Sequence, residues 1–274
     1  SGCRNLSAMV IPASTTAVGS YAFQNCTGIT TLSIANGSQS LTFGNYAFSG
    51  CSKLTEINIP ASVSTFDGSV FGGCNALKTI NVDPANTHLK SIGGVLYNAA
   101  VTDLIFFPTA LVAEMEGAIT AEDLPDTLVR IGATVFSGNN SLKSIVIPDT
   151  VRVIGDNAFY NCVNLTSIAF ESSEAADATL TIGNNAVIGE NAFVFCTALT
   201  AISLPGVKVI HNLAFMDCKT LEKVSFSNKL GYIGGSAFYG CTALKSVKMS
   251  DGVTDIGSRA FSGCKRLRKI TLSN

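Results

Sequence analysis

Nine cysteines are the residues of this chain best suited to chemistry, because a thiol can attack a substrate, hold a metal or form a disulfide. When Asn139 is counted in their column, the steps are 22 to 25 residues, apart from one of 65 and one of 34. The column they form, which includes one asparagine, reads Cys3, Cys26, Cys51, Cys74, Asn139, Cys162, Cys196, Cys218, Cys241 and Cys264. Their role therefore has to be sought in a repeat rather than in a single site.

Three roles for the cysteine column are open on the sequence: buried free thiols, disulfides and a metal site. Stacked strands lie ~4.8 Å apart, whereas the Cβ atoms of a disulfide lie about 3.5–4.5 Å apart and point toward each other. The number of cysteines is odd, no C-x-x-C pair is present, and the chain has two histidines. We predict a structural ladder of reduced, buried thiols, with terminal Cys3 as the exposed exception. Disulfides and a metal site are the less favoured alternatives.

No other set of residues combines a nucleophile, a base and an orienting group. His88 lies in the longest repeat, and His211 stands where most repeats have Gly after Ile, a position for which we predict a turn with positive φ. The acidic residues Glu114 and Glu116 are expected to be solvated. The sequence therefore predicts a protein that is not an enzyme and that holds no metal or cofactor.

Around the column the chain repeats the phrase A-F-x-x-C-x-x-L-x-x-I-x-I, often followed by Pro and later by V-x-x-I-G. Ile57 and Ile59 are two residues apart and point to one face, which predicts a short strand that Pro60 ends. The Ile-Gly step and the next A-F turn are predicted to return the chain through a short helical or 3-10 segment. A period of about 20–29 residues with this spacing is typical of leucine-rich repeats, so the strands should stack into a curved parallel sheet.

The chain is predicted to form one domain, residues 1–274, of about ten to eleven repeats. The step of 34 residues contains a polar stretch that we interpret as a loop insertion near 171–186. The extended repeat 74–138 contains two apolar runs, which we interpret as a hairpin that protrudes and is not needed for folding. An eleventh sheet strand is expected near Ile119. Insertions in solenoids often bind partners; a merely tolerated insertion over 83–130 is the alternative.

The phrase I-G-x-x-A-F-x-x-C-x-x-L-x-x-I-x-I-P resembles the BspA-type bacterial leucine-rich repeat, and Gly94–Asn98, G-V-L-Y-N, resembles a variant repeat of that family. The resemblance covers essentially the whole chain. It implies an α/β leucine-rich-repeat solenoid: a right-handed superhelix with a parallel β-sheet on the concave face and short helical or 3-10 turns on the convex face. It also implies a secreted or cell-surface bacterial protein, often linked to adhesion, and carries no catalytic residues to this chain.

The charge of the chain is unevenly distributed. Residues 1–218 contain 8 Lys and Arg against 16 Asp and Glu, whereas residues 219–274 contain 10 against 3. The basic residues at or near outward strand positions of the last repeats are Lys223, Lys245, Lys248, Arg266, Arg268 and Lys269. We interpret them either as a solvated terminus or as a docking site for an acidic partner such as an anionic polymer.

The most favoured function is a binding or adhesion module that recognises a protein partner through the concave strand positions and the inserted loops. Those strand positions are mostly small or polar: Thr31, Ser33, Asn58, Asn81, Ser144, Ser167, Ser203 and Ser225. Two alternatives are a glycan-binding or glycan-degrading surface protein component and a structural spacer for other domains. Sugar rings usually stack on exposed aromatic side chains, which these positions lack.

The sequence indicates neither a nucleic-acid partner nor a membrane span, since no apolar run reaches the roughly 18 residues that a span needs. The first residues already lie inside a repeat. We therefore expect the chain to belong to a longer extracellular or cell-surface protein whose targeting segments it does not include.

Overall fold

A computed structural model describes residues 2–37, 39–170, 186–204, 206–226, 228–249 and 251–272. The strands are β1 Ala8–Ile11, β2 Ala17–Val18, β3 Thr31–Ile34, β4 Leu41–Phe43, β5 Glu56–Ile59, β6 Val63–Thr65, β7 Thr79–Val82, β8 Leu89–Ile92, β9 Val95–Asn98, β10 Asp103–Phe106, β11 Ala118–Ile119, β12 Arg130–Ile131, β13 Ser144–Ile147, β14 Val153–Ile154, β15 Ser167–Phe170, β16 Ala186–Ile188, β17 Ala201–Leu204, β18 Val207–Ile210, β19 Lys223–Phe226, β20 Tyr232–Ile233, β21 Ser246–Met249, β22 Asp255–Ile256 and β23 Lys269–Leu272. Helix α1 spans Thr109–Glu114, and 3-10 helices span Gly68–Phe71 and Ala121–Asp123. The predicted loop insertion near 171–186 lies outside the described residues, except for its last residue.

The strands form two faces of a solenoid. The I-x-I segments give the front face, made of β1, β3, β5, β7, β11, β13, β15, β17, β19, β21 and β23. The V-x-x-I segments, together with β8, β9 and β10, give the back face. Strands of consecutive repeats pair in parallel, as Ile57 with Ile80 on the front and Ile131 with Ile154 on the back. The protein is therefore a β-solenoid of stacked parallel strands.

Front strands alternate buried and exposed residues, as their sequence predicts. In β5, Ile57 and Ile59 are 1 % exposed, whereas Glu56 and Asn58 face solvent. Because successive repeats are in register, buried residues form columns on one side of the sheet and exposed residues form columns on the other. The strand expected near Ile119 is β11. All eleven expected front strands are present.

The back face is not predicted by the repeat phrase, yet nine strands pair there into one sheet, from β8 to β22. Buried isoleucines align through its parallel part: Ile131, Ile154, Ile188, Ile210 and Ile233. The glycine that usually follows this isoleucine permits a close approach of neighbouring backbones. A Cβ on Gly234 would lie 2.5 Å from the carbonyl carbon of His211.

The segments that return the chain from the back face to the front are hydrogen-bonded turns in most repeats, instead of the expected helices. Among the described return segments, a 3-10 helix forms over Gly68–Phe71. Each turn needs left-handed backbone, as at Asn157 and Asn161, both with φ of 56°, and asparagine tolerates that region. The prediction for His211 is wrong, because its φ is not positive. The position usually holds glycine for space and not for its φ.

The extended repeat does contain the predicted hairpin, within an antiparallel meander of β8, β9 and β10. Gly93 and Gly94, with φ of 58° and 84°, make the two-residue turn between β8 and β9. Asn98 closes the next turn: its Oδ1 accepts the N–H groups of Thr102 and Asp103 at 2.8 and 3.0 Å. Its Nδ2 donates to side-chain oxygens of the same two residues. The asparagine of the G-V-L-Y-N segment thus has a local structural role.

The prediction that this hairpin protrudes is wrong, because it is built into the solenoid core. Strand β10 pairs in parallel with β12, and Asp103 forms an ion pair with Arg130 at 3.2 Å. Side chains of the hairpin pack in two directions. Val95, Tyr97, Leu104 and Phe107 join the buried side chains of the C-terminal repeats, and Leu96 and Phe106 join those of the N-terminal repeats. Both surfaces of the hairpin are apolar, so it needs cover on both sides.

Stacked phenylalanines of the A-F turns run along the core, and the insertion continues this stack. From Phe136 to Phe261, consecutive ring centroids lie 4.9–5.3 Å apart. Phe107 lies 5.6 Å from Phe136, and Phe106 lies 6.0 Å from Phe71. The adjacent phenylalanines Phe106 and Phe107 therefore join the two parts of the core across the insertion.

Candidate binding surface

The cysteine column lies inside the core and uses its thiols as hydrogen-bond donors. From Cys51 to Cys264, each cysteine Sγ lies 3.0–3.4 Å from the carbonyl oxygen of the A-F phenylalanine one repeat earlier. All nine cysteines are free; seven are buried, Cys264 is half-buried and Cys3 is exposed. Burial raises the pKa of Cys196 to about 12 and that of Cys218 well above its ordinary value. Such thiols stay protonated at neutral pH and are poor nucleophiles.

Asn139 takes the cysteine position in the repeat that follows the insertion. Its Oδ1 accepts hydrogen bonds from the backbone N–H groups of Ser141 and Leu142, at 3.0 and 3.1 Å. Its buried Nδ2 has no hydrogen-bond partner among the described residues. The column thus accepts a side chain that bonds to its own turn, which is consistent with a packing role and not with a reaction.

The remaining candidates for chemistry do not converge. His88 and His211 are both exposed, on different repeats. Glu114 forms an ion pair with Lys78 at 2.7 Å. Within the described ranges, no group of three or more His, Cys, Asp or Glu residues is placed to hold a metal ion. None of the helices described there is long and apolar enough to cross a membrane.

The front face presents a long surface of small and polar side chains. Its exposed outward residues include Thr31, Ser33, Asn58, Asn81, Ser167, Ser203 and Ser225, and Ser144 is half-buried. Some of them bond along the column, as where Asn81 Nδ2 donates to Asn58 Oδ1 at 3.0 Å. The insertion interrupts the face beside β7, where the Ile80 N–H donates to the Gly94 carbonyl. This surface is open and lacks a deep catalytic cleft among its described residues.

The three lysines predicted at outward positions are all exposed on the front face. Lys223 and Lys269 occupy one column, because both are in register with Ser246 on the strand between them. They are therefore two strands apart, about 9.6 Å. Lys248 belongs to the next outward column, in register with Ser225. The lysines form a triangle instead of a single row.

The other predicted basic residues lie where the last front strands begin. Lys245 Nζ is 2.6 Å from Glu222 Oε2. The hydrogen bond and charge of Lys245, with a smaller effect from Arg266, hold the pKa of Glu222 below its usual value. Arg268 is exposed on the last repeat. The structure thus brings these residues to one end of the front face.

A shallow groove of ≈ 530 Å³ runs beside these residues. Two of its lysines, Lys219 and Lys265, are not among the predicted binding residues. Its lining is Thr200, Lys219, Thr220, Glu222, Thr242, Ala243, Lys265 and Arg266. A signal for both lysines is present in the sequence, because Lys219 and Lys265 directly follow the column residues Cys218 and Cys264. They share a position in repeats two steps apart.

The repeat of this chain matches a known family. The BspA-type leucine-rich-repeat region matches residues 1–106, 115–179 and 176–274, in six copies. The chain belongs to the BspA-type leucine-rich-repeat family. A search among curated proteins gave no match.

Solved structures of leucine-rich-repeat proteins share the fold of this BspA-type chain. A leucine rich cell surface protein from Faecalibacterium prausnitzii is 27% identical, with a TM-score of 0.67 over 99% of this chain and 61% of that one. A leucine-rich-repeat protein from Eubacterium ventriosum is 21% identical, with a TM-score of 0.56 over 98% and 84% of the two chains. The pneumococcal vaccine antigen PcpA is 22% identical, with a TM-score of 0.52 over 98% and 51%. This chain thus spans 61% of the F. prausnitzii protein.

Proposed function

We propose that this chain is a non-catalytic binding module of a bacterial cell-surface protein, and that its front face recognises a protein on a host or neighbouring cell. In this proposal the front face is the concave face of a right-handed superhelix, and binding supports adhesion. The observation that carries it is the front face itself: columns of small polar side chains, exposed over most of the chain and rigidly spaced by a packed core.

Small side chains on the front face allow a partner's backbone and larger side chains to approach the sheet closely. Extended concave surfaces of solenoids are used for binding in this way. The chemical candidates in the described residues are buried or dispersed, which supports a binding role over a catalytic one. The F. prausnitzii neighbour, named a cell surface protein, supports a location outside the cell. The hairpin of the extended repeat is left out of this surface, since most side chains of its strands β9 and β10 are buried or half-buried.

The proposal is tested by crowding the front face. Ser167 and Ser203 are exposed there, and Thr42 and Thr65 are exposed on the back face. We expect Ser167→Arg/Ser203→Arg to weaken binding to a protein partner by about tenfold or more, because arginines in the centre of an interface hold the partner away. The measurement is surface binding of the purified chain to a panel of purified extracellular host proteins.

The back-face variant Thr42→Arg/Thr65→Arg is the matched control, since it adds the same two charges. It should bind as the unmodified chain does. If the front-face variant keeps full affinity while the back-face variant loses it, the assignment of the front face fails. If the panel yields no protein that binds, the proposal of a protein partner fails.

A further inference from the structure

The C-terminal repeats carry a dense group of exposed cations on the front side. We call this the basic surface; it comprises Lys219, Lys223, Lys245, Lys248, Lys265, Arg266, Arg268 and Lys269. Glu222 is the acidic residue within it, and it is already paired with Lys245. Asp255 belongs to back strand β22, and Asp251 follows β21. The positive charge of the basic surface is therefore largely uncompensated by the acidic side chains in the described part of these repeats.

Two pairs of these cations have members that lie two repeats apart. Lys219 and Lys265 share the position after the column cysteine, and Lys223 and Lys269 share a front-face column. In both pairs the intervening repeat has a residue with a hydroxyl group. One strand lies between the members of each pair, so the two like charges of a pair are two strand spacings, about 9.6 Å, apart along the solenoid. A ligand with anionic groups at a similar interval would match this pattern.

The composition of the surface also restricts the class of ligand. Protein interfaces are depleted in lysine and depend on aromatic anchors, whereas six of the eight residues of the basic surface are lysines and none is aromatic. Single-stranded nucleic acids likewise stack on aromatic residues. Double-stranded DNA carries one charge per about 1.7 Å of its axis, which is far denser than the cations here.

We propose that the basic surface binds a linear anionic polysaccharide through the charged groups of the polymer, which lies along the groove and along the column that holds Lys223 and Lys269. Two strand spacings are about the length of two sugar rings, so a polymer with one anionic group per disaccharide can meet both cations of a pair. The basic surface lies at the C-terminal end of the front face, and this binding does not depend on the proposed protein partner.

The experiment measures binding of the purified chain to hyaluronan, which has one carboxylate per disaccharide, and to heparin, which is more highly charged. Dextran serves as the neutral polymer and a DNA duplex as the competing polyanion. We expect hyaluronan and heparin to bind and dextran not to bind. Binding should weaken by about tenfold or more from about 0.1 M to about 1 M salt, over which the Debye length falls from about 10 Å to about 3 Å.

Two variants connect this binding to the surface. Lys223→Glu/Lys248→Glu/Lys269→Glu should lower the affinity for both polysaccharides by about tenfold or more, because three attractions become repulsions. Lys223→Gln/Lys248→Gln/Lys269→Gln should lower it less, and it guards against a folding defect of the first variant. The matched control is Lys53→Glu/Lys90→Glu/Lys208→Glu, which changes the net charge equally at exposed lysines elsewhere.

The control variant should bind almost as the unmodified chain does. Equal losses in the control and in the Lys223→Glu/Lys248→Glu/Lys269→Glu variant would show that net charge alone drives binding, and would overturn the proposal. Full affinity of the Lys223 variants at each salt concentration would also overturn it. Tighter binding to the DNA duplex than to either polysaccharide would assign the surface to a different class of ligand. None of these outcomes tests the protein partner of the front face.

Discussion

Replacement of residues 95–107 by a short linker is expected to unfold the middle of the solenoid. The segment buries side chains against both the N-terminal and the C-terminal repeats, and Leu96 and Leu104 are completely buried. Without it, the two parts of the core lose the side chains that join them, and β12 loses its parallel partner β10. We expect an insoluble protein, or one that unfolds in a broad transition that lacks the cooperativity of the intact array.

Single substitutions test the same point with less disruption. Leu104→Ala should lower the free energy of unfolding by about 2–5 kcal/mol, because it leaves a cavity in the core. Ile92, on the neighbouring strand β8, is 44% exposed, so Ile92→Ala should cost about 1 kcal/mol or less. The measurement is urea unfolding followed by circular dichroism. A soluble, cooperative protein after the replacement, together with equal effects of the two alanine variants, would show that the hairpin is a peripheral element.

Raising the pH from about 9 to about 12 is expected to destabilise the protein strongly. Burial raises the pKa of Cys162, Cys196 and Cys218 above the ordinary value of 9. In this interval the unfolded chain releases the thiol protons and the native protein keeps them. The stability due to protonated thiols is therefore complete below about pH 9 and is lost as the pH rises. Each such cysteine contributes about 1.4 kcal/mol per pH unit to the fall.

A variant separates the cysteines from the lysines and tyrosines that also titrate at high pH. Cys196→Ala/Cys218→Ala should be less stable than the unmodified chain at pH 8. Above about pH 9 its free energy of unfolding should then fall less steeply than that of the unmodified chain. The two slopes should differ by about 2.8 kcal/mol per pH unit, which is the contribution of two thiols. Urea midpoints at several pH values measure the difference. Parallel pH dependences of the two proteins would mean that these thiols are not buried in the native state.

The front face could be predicted from the sequence because its signal is strong and repeated. Alternation of apolar and polar residues, as at Glu56, Ile57, Asn58 and Ile59, marks both the strand and its outward side. The ten positions of the cysteine column indicate the register from repeat to repeat. The strand at Ile119 is predicted because the repeat pattern resumes there after the insertion. The burial of the column also followed, since stacked strands hold equivalent side chains parallel and too far apart for disulfides.

The back face and the hairpin could not be predicted in the same way. Back strands such as Val153–Ile154 contain two residues, which is too short for any alternation to appear. Successive side chains of the hairpin strands point to opposite faces, and apolar residues lie on both faces. The sequence of the hairpin alone does not predict that a core covers each face. Lys223, Lys248 and Lys269 form a triangle because Lys248 is in register with Ser225 and not with Lys223. The spacing of residues within one repeat does not reveal this register.

In the proposed function, the cysteines are core residues of a binding scaffold and do no chemistry. Thiol titration without reductant, in native and in denatured protein, tests it most directly. We predict that Cys3 reacts rapidly in the native protein, that half-buried Cys264 reacts slowly, and that the seven buried cysteines do not react. All nine should react after denaturation. Seven or fewer reactive thiols after denaturation would reveal disulfides, and rapid reaction of any of the seven buried cysteines in native protein would show accessible thiols; either result would contradict a buried, reduced column.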